Sequence, residues 1–460
     1  MNLRGRVLGI SALARGRRWR SCLQQIEARV PEDMQRQSLS ILLDHALTHV
    51  PFYRELGVSE PRLDAFPLLT RADLRTHYKR LISDDVESRD CIKVSSGGST
   101  GEPTWTLIDQ GFPRWNHATK MYTMKTFCGM STFDYLSSRR VMIWHRRRVR
   151  FSSKRWKRLA ARVLGQVIYV EPYEILTEAK LNEHVRRINA HRPDVIHAFA
   201  GTTFEIAKHA QRLGITMHRP QFILTSVEML YPAMRKTIES TFGCPVFDQY
   251  GAAETGLTAS ECPHGKLHLF PFNQHVEVLD AEGLPARPGD VGRIVVTPLH
   301  NLAMPLIRYE IGDLARVSTE PCSCGSSLPA WDEISGRVVH HFVRSDGSAV
   351  RGGNFIAMFY EYDWVMQFYV LQEDIDRMVI SYKRVPGRDV PSRDIEEMTQ
   401  VVRNVMGQSC SVVWKEADVI PHSPIGKHLH VRSLVWEQRN GVAQPGEHKE
   451  VHLHPTGGAD

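Results

Sequence analysis

The 460-residue sequence contains no apolar run approaching the roughly 20 residues that a membrane-spanning helix requires. Its N-terminus has no secretory signal either. Met1–Arg20 is rich in arginine, its apolar stretch Val7–Leu13 is short, and no small-residue cleavage site follows. These absences predict a soluble, cytoplasmic protein. Peripheral membrane contact, through a basic amphipathic helix at the N-terminus, is the alternative use of the same residues. Eight cysteines in a long chain read as cytoplasmic do not suggest a disulfide framework. Acidic residues are missing between Arg139 and Arg162, where Arg146, Arg147, Arg148, Lys154, Arg155, Lys157 and Arg158 gather. That run is either a solvated helix face or a dock for a phosphate-bearing coenzyme or acidic partner. No recognition-motif spacing accompanies it, so nucleic acid is not expected as a partner.

What is present is ordinary globular composition, 42% hydrophobic with a net charge of +7, long enough for two or three cores. Residues 35–56 show helical spacing that ends at Val50-Pro51, as sterics before proline require. From Val167 to Tyr250 short apolar strands alternate with amphipathic helices: strands at Val167–Val170, Asp194–Phe199, Phe222–Thr225 and Val246–Gln249, helices at Glu178–Ala190, Thr203–Leu213 and Tyr231–Phe242. This alternation predicts parallel strands with crossover helices. After Ala253, His268–Leu279 and Gly292–Thr297 are β-rich and the turn-prone Asp280–Asp290 separates them, which predicts an antiparallel or barrel-like subdomain. From about Gly336 a smaller α+β segment mixes strands such as Met378–Tyr382 with a helix over Ile395–Met406. The expected fold class is therefore α/β, with a large N-terminal domain (1–335), a small α+β C-terminal lid (336–437) and a polar, disordered tail (438–460).

The strongest local signal is Ser95-Ser96-Gly97-Gly98-Ser99-Thr100-Gly101. Glycines allow tight folding with amides pointing inward, and hydroxyls add donors, which makes a concave anion site. The loop lacks the Gly-Lys-Ser/Thr ending of a Walker loop. A plain surface loop and a serine-hydrolase nucleophile elbow at Ser99 are the competing readings. The elbow requires a helix directly after the loop, whereas Thr104–Ile108 favours a strand, making the flanks a hairpin. Three weaker motifs follow in order: Phe247–Gly256 with Tyr250, Gly251 and Glu254, Met304–Asp313, and Ser423-Pro424-Ile425-Gly426-Lys427.

Together, and in this order, these motifs resemble the adenylate-forming superfamily, in the branch of phenylacetate–CoA ligases, capsule-biosynthesis proteins and deazaflavin-adenylating synthetases. The resemblance runs from about residue 35 to 433 and includes His49-Val50-Pro51-Phe52-Tyr53-Arg54. It implies ATP-dependent activation of a carboxylic acid as its acyl-adenylate, with release of pyrophosphate and then acyl transfer to coenzyme A or another acceptor. It further implies that Ser95–Gly101 wraps the β- and γ-phosphates and that Glu254 helps hold Mg²⁺. Tyr250 and Gly251 would lie beside adenine and carboxylate, Asp313 would accept the ribose hydroxyls, and Lys427 on the lid would reach the forming anhydride. Thr225-Ser226-Val227-Glu228 resembles the loop that flanks adenine. At the hinge, Gly336-Arg337-Val338-Val339-His340-His341 keeps Arg337 but places Val339 where the family carries an acid, which puts the swing to thioester formation in question. A non-catalytic nucleotide-binding relative in a polysaccharide or secondary-metabolite pathway is the alternative that this departure favours.

Two further clusters suggest a metal. Cys262, His264 and His268 follow the Glu254 motif, and Cys322-Ser323-Cys324 lies about sixty residues on. Such clusters suit a closed tetrahedral structural zinc, with Cys262, His268, Cys322 and Cys324 as ligands and His264 as the substitute. Reduced cysteines in turns are the competing reading.

Overall fold

The computed structural model describes residues 16–58, 60–95, 104–144, 167–170, 177–337, 341–362, 364–420 and 430–439. The expectations for Ser96–Gly101, Val339, Lys427, the basic run beyond Trp144 and the tail beyond Arg439 fall outside them. No helix among the described residues is long and apolar enough to cross a membrane.

Among the described residues, thirteen strands build the first unit: β1 (Ile92–Ser95), β2 (Trp105–Ile108), β3 (Arg140–Ile143), β4 (Val167–Val170), β5 (Val195–Phe199), β6 (Phe222–Ser226), β7 (Val246–Ala252), β8 (Gly256–Glu261), β9 (Leu267–Leu269), β10 (Gln274–Leu279), β11 (Val291–Pro298), β12 (Tyr309–Val317) and β13 (Ala330–Arg337). Its helices are α1 (Arg17–Ala28), α2 (Pro31–His49), α3 (Pro51–Arg54), α4 (Arg71–Thr76), α5 (Gly111–Thr126), α6 (Thr132–Ser137), α7 (Glu178–His191), α8 (Ala200–Arg212) and α9 (Pro232–Phe242).

Eleven of the strands form one sheet in the order β10-β11-β12-β13-β9-β8-β7-β6-β5-β3-β4. β3, β4, β5, β6 and β7 pair in parallel. Every residue of β5 is buried, the pattern of a strand covered on both faces. Helices α7, α8 and α9 supply the crossovers, as the alternation predicts. β7 runs on past Gln249 to Ala252 and turns into β8, and from there each pairing is antiparallel. The β-rich segment thus extends the same sheet.

Residues from the N-terminal helices close one face. Leu42, Leu43 and Ala46 of α2, with Val50 and Tyr53, are buried together with Ile307, Tyr309 and Trp331. The Tyr53 hydroxyl donates to Pro305 O at 3.0 Å and accepts from Ile307 N at 3.1 Å. Losing a leucine there should cost about 2–5 kcal/mol. Helix α1 turns Cys22, Leu23 and Ile26 into a second core with Met121 and Met124 of α5, so this apolar stripe faces protein.

The second unit holds β14 (His341–Val343), β15 (Ala349–Arg351), β16 (Val365–Asp374), β17 (Arg377–Arg384), β18 (Ser411–Glu416) and β19 (Val431–Ser433), with α10 (Gly353–Phe359), α11 (Ser392–Met406) and α12 (Leu434–Arg439). Four of its strands form a mixed sheet in the order β18-β17-β16-β19. Helix α11 buries Met398, Val402 and Met406, spaced four apart, and Trp414 Nε1 of β18 donates to Thr399 Oγ1 at 2.9 Å.

Candidate active site and metal cluster

The β-hairpin β1–β2 pairs antiparallel from Ile92↔Ile108 to Ser95↔Trp105, so the glycine-rich loop leaves one strand and enters another. A nucleophile elbow needs strand, turn and helix, and this context opposes it. Ser95 ends β1; the rest of the loop is outside the described residues.

The antiparallel half of the sheet places Asp313 and Tyr309 on β12, which lies two strands from β9, three from β8 and four from β7, the strand that carries Tyr250 and Gly251. The Tyr250 hydroxyl donates to Asp313 Oδ2 at 2.8 Å. Gly251 has to be glycine for a concrete reason: a Cβ there would stand 2.2 Å from Gly256 O. Arg337, at the end of β13, pairs in register with Asp313.

Glu254 lies in the turn between β7 and β8, with its side chain 2% exposed. The Tyr309 hydroxyl donates to its Oε1 at 3.2 Å, and Arg71 Nη2 stands 3.7 Å from the same oxygen. Its Oε2 is buried and has no partner among the described residues. A buried carboxylate oxygen without a donor is costly unless something else meets it. A hard divalent cation, which takes oxygen ligands, fits that vacancy in the hydrogen bonding.

Arg71 and Tyr309 were not among the sequence-level candidates. Arg71 opens α4, where Thr70 and Asp73 form a capping box: Asp73 N donates to Thr70 Oγ1 at 3.2 Å and Thr70 N to Asp73 Oδ2 at 2.9 Å. Just before it, Leu69 N donates to Arg308 O and Glu310 N donates to Leu69 O, both at 2.9 Å. This short ladder carries the N-terminal segment to β12. Burial works against the Arg71 charge, but Tyr309, Glu254 and Asp313 outweigh it and hold its pKa above the ordinary arginine value. Burial pushes the Tyr309 phenol up, so it remains a donor. The only local hint in the sequence was the capping box itself.

Thr225 and Glu228 anchor the turn after β6. Thr225 Oγ1 donates to Asp248 Oδ1 at 2.8 Å, and Gly201 N, in the first turn of α8, donates to Glu228 Oε2 at 2.9 Å. Between them Val227 takes φ +78°, a region that a β-branched residue rarely enters, and the residue is 38% exposed. The turn sits at the carboxyl end of a parallel strand, where open α/β sheets bind ligands. Phe199, by contrast, is buried at the end of β5, with its ring 4.8 Å from that of Trp144.

The metal candidates converge. One ligand atom each from Cys262, His268, Cys322 and Cys324 falls within 4.8 Å of all the others. Cys262 Sγ and Cys322 Sγ are 3.5 Å apart, and Cys324 Sγ is 3.3 Å from His268 Nε2. A sulfur pair in a disulfide would sit at about 2.05 Å. Ligands at tetrahedral corners around zinc, with Zn–S of about 2.3 Å, stand about 3.7 Å apart, close to what is found. His268 Nδ1 bonds Leu328 O at 3.0 Å. A carbonyl only accepts, so Nδ1 carries the proton and Nε2 presents its lone pair to the cluster. His264 is not part of the set; its Nδ1 bonds Ser323 Oγ at 2.9 Å.

No family profile matches the chain. It is 22% identical over 411 residues to protein CapK of Staphylococcus aureus, covering 86% of this chain and 87% of that one. It is 26% identical over 331 residues to a phenylacetate–coenzyme A ligase of Thermus thermophilus, covering 66% and 69%. Among solved structures, 2-hydroxyisobutyryl-CoA ligase in complex with 2-HIB-AMP superposes with a TM-score of 0.67 at 16% identity, covering 89% of this chain and 91% of that one. An anthranilate CoA ligase in complex with anthranoyl-AMP superposes with a TM-score of 0.51 at 12% identity, covering 76% and 66%. Over most of its length the chain is thus similar to CapK and over two thirds to a phenylacetate–coenzyme A ligase, and it shares the fold of 2-hydroxyisobutyryl-CoA ligase.

Proposed function

We propose that this protein is a ligase that uses ATP to activate a carboxylic acid as its acyl-adenylate and then passes the acyl group to coenzyme A. A carboxylate oxygen attacks the α-phosphorus, the bond from that phosphorus to the bridging oxygen breaks, and pyrophosphate leaves with the electron pair. In the second half-reaction the thiolate of coenzyme A attacks the acyl carbonyl and AMP departs. The single observation that carries the reading is the constellation Arg71, Tyr309 and Glu254 beside Tyr250 and Asp313, in which Glu254 Oε2 lacks a donor among the described residues. Structures of 2-hydroxyisobutyryl-CoA ligase with this fold hold an acyl-AMP or acyl-AMP with coenzyme A, which supports the order of the steps.

In this reading Asp313 accepts the ribose hydroxyls, with the Tyr250 hydroxyl swinging from it to admit them. Tyr250 and Gly251 flank adenine and the substrate carboxylate, Arg337 lies beside the ribose, and Ser95–Gly101 clasps the terminal phosphates. Glu254 would hold Mg²⁺ through Oε2, and the ion would supply positive charge to the departing pyrophosphate. Arg71, tied to Glu254 by charge, adds a fixed cation on the same side. Lys427 meets the forming anhydride. Cys262, His268, Cys322 and Cys324 would hold a structural zinc, which would brace the loops that carry them.

Isotope exchange of pyrophosphate into ATP, run across aryl, alkyl and amino acids, tests the reading. At least one acid should support exchange, and Lys427→Ala and Glu254→Gln should each abolish it. ATP binding without exchange for any acid would favour the nucleotide-binding relative that the Val339 hinge suggests.

A further inference from the structure

A pocket of ≈ 450 Å³ lies on the first unit, walled by α1, α2, the segment at Arg89–Asp90, the start of α5 and the chain at Leu299–Leu302. None of Tyr250, Glu254, Tyr309 or Asp313 lines it. Its size is that of a small-molecule site. Two features of its wall stand out. The Trp115 and His300 rings stack with centroids 4.0 Å apart and planes within 7°. Arg18 and Arg114 also line it, and neither guanidinium has an ion-pair partner among the described residues.

The other charged groups there already have partners. Arg89 is held by both oxygens of Asp85 at 3.0 and 2.6 Å, with Asp109 at 3.5 Å. Asp109 accepts from Gly111 N at 2.8 Å and Leu302 N at 3.0 Å, and Asp90 accepts from Gln110 Nε2 at 3.0 Å. The lining thus sets three arginines, Arg18, Arg89 and Arg114, against two aspartates, Asp90 and Asp109, a positive balance carried by Arg18 and Arg114, which have no ion-pair partner among the described residues. His300 adds none: its Nε2 donates to Phe272 O at 2.8 Å, and burial pushes its pKa down to about 4. It remains a neutral, flat imidazole, suited to stacking. Exposed Ile41 contributes an apolar rim.

We propose that this pocket is a second ligand site, which binds a planar ring carrying an anionic group: the ring on the Trp115–His300 stack, the anion between Arg18 and Arg114. A flat ring needs a flat apolar wall, and guanidinium forks match carboxylate and phosphate oxygens in geometry as well as in sign. A mononucleotide and an aryl carboxylate share this chemistry. Asn301, between the lining residues His300 and Leu302, donates through Nδ2 to Leu107 O of β2 at 3.0 Å, which ties this wall to the β1–β2 hairpin.

The test is ¹⁹F NMR of protein carrying 5-fluorotryptophan, with the Trp115 resonance assigned by its loss in Trp115→Phe. Uridine monophosphate, adenosine monophosphate, benzoate and 2-naphthoate are titrated separately, with inorganic phosphate and cyclohexanecarboxylate as ring-free and non-planar controls. The expected result is a saturable shift of the Trp115 signal with the nucleotides or the aryl acids, which says which source the site takes, and weaker or no response to the controls. Arg18→Gln and Arg114→Gln should each weaken that binding about 10-fold, the loss of one charge-assisted contact, with melting temperature unchanged. No shift with any planar anion, equal response to the controls, or unchanged affinity in both arginine variants would overturn the proposal.

Discussion

Arg71 and Glu254 offer the sharpest test of how the site is built. Their charged atoms are 3.7 Å apart, with side-chain exposures of 23% and 2%. A unit-charge pair at that distance gains about 4.5 kcal/mol at an effective dielectric of about 20, a ceiling that desolvation of both groups lowers. Removing one member of such a pair leaves the other charge buried. Arg71→Met should therefore destabilise the first unit by about 3 kcal/mol, although methionine fills much of the same volume. Glu254→Gln keeps an acceptor for the Tyr309 hydroxyl and should cost about 2 kcal/mol. The double variant removes both charges at once, and its loss should fall about 1.5 kcal/mol short of the sum. Urea unfolding, followed separately for the transition of each unit, measures all four corners of the cycle. If the two single losses add to within about 0.3 kcal/mol, the pair does not interact across this site and the reasoning is refuted. The cycle needs no substrate, so it judges the constellation independently of the proposed reaction.

Val227→Gly relieves a left-handed backbone at an exposed side chain; after the extra chain entropy of glycine, stability should rise by up to about 1 kcal/mol, while the Michaelis constant for ATP or acid worsens. Thermal melting and exchange kinetics together check this trade. Burial pushes the Asp248 carboxyl up to about 7, against the pull of its Thr225 bond. Its folded pKa is raised, so its stabilisation is complete below the ordinary aspartate range and is lost as pH climbs through about 7; Asp248→Asn should flatten the melting profile across that window. For the cysteine cluster, the metal content of purified protein should be one zinc per chain by elemental analysis. Cys324→Ser should lose that metal and lower the melting temperature by several degrees; equal metal content in the variant would remove Cys324 from the ligand set.

The alternation of apolar strands and amphipathic helices between Val167 and Tyr250 was legible because each period reflects local burial on a covered sheet. The cysteine and histidine cluster was legible too: ligands only a few residues apart announce one another, and two such pairs need only one meeting in space. What could not be read was the reach between distant segments. Arg71 and Glu254 are separated by most of the large unit, and what joins them is the backbone ladder of Leu69 with Arg308 and Glu310, which no side-chain pattern encodes. The continuation of one sheet through the β-rich segment was equally hidden, since a strand's partner depends on which edge is open when it arrives. The pocket at Trp115 and His300 is of the same kind, its stacked rings coming from segments far apart in the chain.

Strand β9 is three residues long, yet in the order of the sheet it alone joins β8 to β13. It offers two residue pairs to β13 and three to β8. The sheet therefore has a seam, and the Tyr250–Asp313 and Tyr309–Glu254 hydrogen bonds both cross it. So does the cysteine cluster: Cys262 follows β8, His268 sits on β9, and Cys322 and Cys324 precede β13. A metal bound there would be a rivet through the weakest line of the sheet, setting how far the Asp313 side can drift from the Glu254 side. Stripping it should show first as faster hydrogen exchange along β9 and β13, and then as slack in nucleotide binding, while the parallel half beyond β7 stays closed.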